Sequence, residues 1–216
     1  TRSAPPRAMA MLESLRGLGY STGAALADII DNSVSAGASE VRLDFAWDGP
    51  NSRITVLDDG RGMDDAELES AMHLGDKNPL DARLAHDLGR FGMGLKTASF
   101  SQCRRLTVAT VKNGSASCLR WDLDELAADP DGDWLLFEGT AQGSESFIES
   151  LKGKKTGTVV LWEEMDRVVT AGYTSDDFHD LIDTVESHLA MVFHRLLQGS
   201  FVKLKLLLNG RAIAPW

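Results

Sequence analysis

Four polar side chains able to do chemistry, Asp28, Asp31, Asn32 and Ser35, stand close together in the stretch ALADIIDNSVSAGA, Ala25 to Ala38. At about 100° of turn per residue they gather on one side of a helix, opposite Leu26, Ile29, Ile30 and Val34. Asp28 and Asn32 lie one turn apart and point the same way, as a catalytic carboxylate and a metal-ligating amide need to. A solvated helix face shows the same pattern, so partners elsewhere in the chain must decide. VLDDGRGM sets Asp58, Gly60 and Gly62 as D-x-G-x-G after a strand, a carboxylate at a strand end followed by backbone that a ligand can approach closely. GRFGMGLK sets Gly89, Gly92 and Gly94 as G-x-x-G-x-G ahead of a helix whose free N–H groups could cradle phosphates. The chain has neither the strand, glycines, helix and later acid of a dinucleotide-binding fold nor the G-x-x-x-x-G-K-[ST] of a P-loop.

The elements that must hold these residues follow from periodicity and turn signals. Pro5 and Pro6 mark an irregular arm, and Met9 to Leu18 carries helical apolar spacing that Gly17 and Gly19 end. The polar-faced helix runs from about Thr22 to Ala36, with Gly37 as its stop. Val41 to Trp47 and Arg53 to Leu57 alternate as a hairpin around DGPNS. DDAELESAMHL reads as a helix with acids in its first turn, and Gly75 to Gly94 as a long polar loop. Leu95 to Gln102 reads as a further helix. Strands are expected at Arg105 to Val111, Ala116 to Leu123 and Gly157 to Trp162, with an acidic, unassigned stretch from Asp124 to Lys155. One long amphipathic helix, Asp176 to Leu197, precedes a strand at Phe201 to Leu208 and its Asn209-Gly210 turn. Helices mixed with hairpin strands indicate an α+β sandwich, with helices on one face of a mostly antiparallel sheet.

Composition narrows the function classes. The 216 residues are 43% hydrophobic, enough for a sizeable core, and the formal charge of −10 argues against a broad nucleic-acid or anionic-membrane footprint. Nucleic acid, if a partner, engages regions outside this chain. Cys103 and Cys118 form no CxxC pair, which suits a reducing interior rather than a disulfide framework or structural zinc. With neither a membrane-length apolar run nor a signal segment, a cytoplasmic location is expected. The stop at Trp216, just after a strand-turn signal, suggests a piece of something longer.

Taken in order, the three motifs resemble those of the GHKL superfamily of DNA gyrase, the ATP-driven heat-shock chaperone, histidine kinases and MutL. Asp28-x-x-Asp31-Asn32 resembles its N box, Asp58 to Gly62 its adenine-reading box, Gly89 to Gly94 the box that closes a flexible lid, and Gly157-Thr158 its terminal G-T box. IIDNSVSAGA followed by GRFGMGLKTASFS is most similar to the MORC and MutL branch and its bacterial relatives. The resemblance spans roughly Leu12 to Trp162 and implies a Bergerat-type two-layer sandwich, a mixed, mostly antiparallel sheet with helices on one face. It implies ATP and Mg²⁺ as ligands, slow hydrolysis, and nucleotide-dependent homodimerisation of a longer protein.

Residue by residue, the resemblance makes Asp28 the base that activates water, Asn32 the Mg²⁺ ligand, Asp58 the acceptor for the adenine amine, and Thr158 its companion at the base. Asp31 would order pocket water or bond near the adenine. Ala36, Gly60, Gly62, Met63 and the lid-box residues Gly89, Arg90, Phe91, Gly92, Met93 and Gly94 complete the expected nucleotide contacts. Lys96 would add charge at the phosphates, or else be a solvated helix cation. The family usually has Glu where Asp28 stands, and Asp is shorter by about 1.5 Å of reach. Two alternatives therefore remain: a nucleotide sensor that does not hydrolyse, and a histidine-kinase-type domain, although none of His73, His86, His179, His188 and His194 lies in a phosphoacceptor pattern. The expected division is an arm and first helix at 1–20, the ATP-binding domain at 21–198, and the start of a transducer-like domain at 199–216. In the family that second domain contributes a lysine to the γ-phosphate, and no such lysine is found here.

Overall fold

The structure, a computed structural model, describes residues 7–17, 19–75, 94–129, 131, 133–199 and 204–216. Among them eight strands form one sheet: β1 (Glu40–Ala46), β2 (Arg53–Asp58), β3 (Arg105–Lys112), β4 (Ser115–Asp122), β5 (Phe137–Glu138), β6 (Thr156–Glu163), β7 (Lys205–Leu208) and β8 (Arg211–Ala212). Their order is β5-β4-β3-β6-β2-β1-β7-β8, and every pairing is antiparallel except β1 with β7. The fold is α+β. Strand β7, whose segment reads from sequence as opening a further domain, is hydrogen-bonded into this same sheet.

The period-2 alternation of each strand sorts its residues between two faces. Ile54, Val56, Leu106, Val108, Val160 and Trp162 face the helix layer, where they share a core with Leu12 of α1 (Ala8–Arg16), Leu26, Ile29 and Ile30 of α2 (Thr22–Ser35), and Phe178 and Leu189 of α6 (Ser175–Val192). Helices α3 (Asp65–Met72), α4 (Gly94–Phe100) and α5 (Leu123–Ala128) also pack in this layer. Leu57, Ala109, Val111, Val159 and Leu161 face the other way and pack under Leu151 of a 3₁₀ helix, Glu145–Leu151. The unassigned acidic stretch thus supplies α5 on one face and a short cover for the other. Ser21 caps α2 by accepting from the Ala24 N–H at 3.2 Å, which fixes where the polar-faced helix begins.

The late helix is not continuous. It breaks at Phe193, whose backbone (φ −98°, ψ 11°) ends α6 before α7 (His194–Gln198) begins. Phe193 and Leu197 are both buried, so burying both side chains outweighs an unbroken amphipathic helix. Among the described residues no helix is long and apolar enough to cross a membrane.

Candidate functional site

Three apolar columns on the helix-facing side of the sheet turn polar at the same row. Ile54 and Val56 lead to Asp58 on β2, Trp162 and Val160 to Thr158 on β6, and Leu106 and Val108 to Thr110 on β3. The register places Asp58 opposite Thr158 and Thr158 opposite Thr110. All three are buried. Thr110 Oγ1 donates to the Gly157 carbonyl at 3.1 Å, accepts from the Met63 N–H at 2.9 Å, and lies 3.3 Å from Thr158 Oγ1. This polar floor is therefore fixed by hydrogen bonds before any ligand arrives.

Asp58 is only 6% exposed. Its Oδ2 accepts from the Ser33 hydroxyl of α2 at 2.9 Å, and its Oδ1 from the Gly60 N–H at 2.9 Å. Burial pushes its carboxyl above the ordinary value, with the hydrogen bonds from Ser33, Gly60 and the Thr158 backbone opposing. The adjacent Asp59 behaves oppositely. Burial pushes it up too, but bonds from the Glu40 N–H and from the Ser39 hydroxyl and N–H outweigh this and hold it below the usual range. Of the two acids in DDG, one is a structural clamp on the start of β1 and the other faces the floor.

Glycines shape the turn beside it. Gly62 has φ +67°, and a Cβ there would stand 1.9 Å from the Val111 carbonyl oxygen; Gly157 has φ +139°, and its Cβ would stand 2.7 Å from the Asp58 carbonyl oxygen. Neither position accepts a side chain without moving backbone. A Cβ on Gly60 would come within 3.0 Å of the Ala36 methyl, and the Ala36 carbonyl accepts from the Arg61 N–H at 3.0 Å. The glycine turn is thereby stitched to the C-terminal end of α2.

The outer face of α2 carries Asp28 and Asp31, both partly buried, and exposed Asn32. Asn32 Nδ2 donates to the Asp28 backbone carbonyl at 3.0 Å, which leaves Oδ1 as the atom turned outward. Asp28 Oδ2 is 4.0 Å from where a Cβ on Gly94 would be. Burial, and next the Asp28 charge, raise the Asp31 carboxyl above its ordinary value. The site thus joins a buried acceptor row to an open, acid-bearing helix face.

Residues 20–158, more than half the chain, match the family of histidine kinase-, DNA gyrase B- and HSP90-like ATPases. The chain belongs to this family. It is 32% identical over 95 residues to the ATPase morc-1 of Caenorhabditis elegans, covering 44% of this chain and 11% of that protein. Against the DNA mismatch repair protein MutL of Rhodospirillum rubrum it is 29% identical over 167 residues, 71% of this chain and 26% of that protein. Protein MICRORCHIDIA 7 of Arabidopsis thaliana is 32% identical over 80 residues, 35% of this chain and 11% of that protein. The chain spans about a quarter or less of each of these relatives, and it sits within the MORC- and MutL-like branch of the GHKL ATPases. Membership supports an ATP-binding module.

Against this GHKL frame, the structure brings Asp58, Thr158, Gly60, Gly62 and Met63 together at the floor and sets Asp28, Asp31, Asn32 and Ala36 along α2 beside it. Lys96 is placed differently. It is 1% exposed, and its Nζ donates to the Ala71 carbonyl at 2.7 Å, tying α4 to the end of α3. A solvated helix cation it is not, because an ammonium on a long stem can bury its methylenes in the helix layer when a carbonyl meets its charge. Gly89, Arg90, Phe91, Gly92 and Met93 lie outside the described residues, as do His86 and most of the Gly75 to Gly94 loop. The sequence reading missed Ser33 and Thr110. Both carried a faint signal, since each is a hydroxyl on an otherwise apolar buried stripe.

Proposed function

We propose that this domain binds ATP with Mg²⁺ and hydrolyses it slowly, and that nucleotide state gates homodimerisation of a longer cytoplasmic protein. The observation that carries the reading is the buried Asp58–Thr158–Thr110 row lying against α2, the same helix whose outer face presents Asp28 and Asn32 one turn apart. Asp58 would accept from the adenine amine, with Ser33 and the Gly60 N–H fixing its two oxygens. A guanine, with a carbonyl at that position, would meet only lone pairs and leave both partners unsatisfied. Thr158 adds its hydroxyl to the base. Gly60, Gly62 and Met63 bring bare backbone alongside, and the Gly89 to Gly94 box is assigned to the phosphates.

The residues fit Mg²⁺ as a cation shared with the triphosphate. Among the described residues no group of three or more His, Cys, Asp or Glu side chains could hold a metal alone, and Asn32 Oδ1 offers a single neutral oxygen, which suits an ion that keeps phosphate and water ligands. When bound, Mg²⁺ neutralises charge on the phosphates. Asp28 orients a water and takes its proton, while Asp31 orders solvent next to it. In the full-length protein, Asp28→Asn should keep its affinity for a non-hydrolysable ATP analogue within about twofold in calorimetry. Its kcat in steady-state phosphate release should fall about a hundredfold. Turnover at the parent rate, with contaminating ATPases excluded, would replace hydrolysis with a binding-only switch.

A further inference from the structure

The donors that meet at the polar floor are committed inward. The Ser33 hydroxyl donates to Asp58 Oδ2 and the Gly60 N–H to Asp58 Oδ1, each at 2.9 Å. The Met63 N–H donates to Thr110 Oγ1 at 2.9 Å, and Thr110 Oγ1 donates to the Gly157 carbonyl at 3.1 Å. A hydroxyl has one proton to give. With its own given to Gly157, Thr110 meets Thr158 Oγ1, 3.3 Å away, as the acceptor, which makes Thr158 the donor in that contact. Thr110 has no exposed surface, whereas Thr158 keeps 8% of its own. Of the two hydroxyls, Thr158 is the one a ligand can reach, and its proton points away.

We propose that Thr110 is a positioning residue that sets base specificity: it takes the Thr158 proton, so that the floor presents only acceptors to the ligand. The proposal rests on the reading of Asp58 and Thr158 as the pair that meets adenine. Adenine brings its own donor, the exocyclic amine, to such a floor. A base with a carbonyl in that place, hypoxanthine or guanine, finds no proton there, because the Asp58 oxygens are both acceptors and the Thr158 proton is already given. Thr110 itself touches no ligand. Replacing it with a residue of the same shape but no hydroxyl returns the proton to Thr158, which can then turn it toward a carbonyl.

Calorimetry on the full-length protein with Mg²⁺ tests this, using ADP and IDP, whose bases carry an amine and a carbonyl at the same place and which have no γ-phosphate to be hydrolysed. The parent should bind ADP more tightly than IDP. Thr110→Val should narrow that preference about fivefold, and Thr110→Ser, which keeps the hydroxyl, should preserve it. In a Thr158→Val background, Thr110→Val should narrow it no further, since no proton remains to be redirected. Should the valine variant not fold, Thr110→Ala is judged by the same ratio. A merely structural Thr110 would weaken ADP and IDP by one factor and leave the ratio at the parent value. That result overturns the proposal, as does a serine variant that behaves like valine or a narrowing that persists in the Thr158→Val background. A parent that binds the two nucleotides equally well overturns the adenine reading itself, and the role of Thr110 falls with it.

Discussion

The inner and outer faces of α2 solve opposite problems. On the inner face Ser33 and Ala36 press against Asp58 and the glycine turn, so that both Asp58 carboxylate oxygens have a fixed partner and no side chain can be added to Gly62 or Gly157 without moving backbone. On its outer face, between Asp28 and Asn32, the same helix leaves Asp28, Asp31 and Asn32 at a partly open surface, with Asn32 tied to the helix backbone. Recognition of a flat, rigid base requires acceptors that do not move, because an unmet donor on the ligand costs about 1–3 kcal/mol. Chemistry on a triphosphate needs room for water and a cation. In the proposed function one helix serves both, because its 3.6-residue period sends Ser33 inward and Asn32 outward.

The strongest way to break this contrast is at Asp58. Asp58→Asn should abolish ATP binding in calorimetry, since the amide turns a donor toward the adenine amine; unchanged affinity would sink the adenine assignment. Stability should move the other way. A buried carboxyl with a raised folded-state pKa binds more protons folded than unfolded between the two values, so its contribution to stability falls as pH rises through that window. At pH 7 the variant without ligand should therefore melt no lower than the parent. Its relative advantage should shrink as pH is lowered toward 4.

Gly62→Ala sharpens the claim that the floor is rigid backbone. The added Cβ meets the Val111 carbonyl, and a loss of about 2 kcal/mol, or about 4–8 °C in Tm, is expected along with weaker ATP binding. Asp28→Asn, on the open side, should shift Tm by no more than about 1 °C. Equal destabilisation of the two variants would erase the distinction between the two faces of α2. Ser33→Ala is subtler, removing one bond to Asp58 and weakening ATP about fivefold with kcat retained. A kcat fall without loss of affinity would put Ser33 in the chemistry instead.

The smallest effect lies at α3, where Lys112, then the Asp64 N–H, hold the Glu67 carboxyl down to about 2. A depressed carboxyl contributes stability that is full above its unfolded value near 4.5 and is lost as pH falls toward 2. Both side chains remain partly exposed and the pair is screened by solvent, so Glu67→Gln should cost only a few tenths of a kcal/mol at neutral pH. The difference should vanish in melts near pH 2, and its persistence there would mean that Glu67 acts through packing.

Local patterns set most of what the chain discloses about itself. The alternation of β1, β2, β3 and β6, the amphipathic α2 and the D-x-G-x-G turn are written in residues that are neighbours in sequence, and backbone periodicity converts that spacing into facing directions. The pairing of Asp58 with Ser33, the row it forms with Thr158 and Thr110, and the burial of Lys96 against Ala71 join segments 25 or more residues apart. No local rule reaches across such distances. The same limit explains the break at Phe193, where burial of one ring overrides a helical pattern that runs straight through it, and the unassigned stretch whose 3₁₀ helix finds its place only once Val159 and Leu161 have formed a second apolar face. Which residues could do chemistry was legible from type and spacing; which of them share a site, and what holds each one still, was decided by sheet register and helix packing, because those bring together atoms that the chain itself keeps far apart.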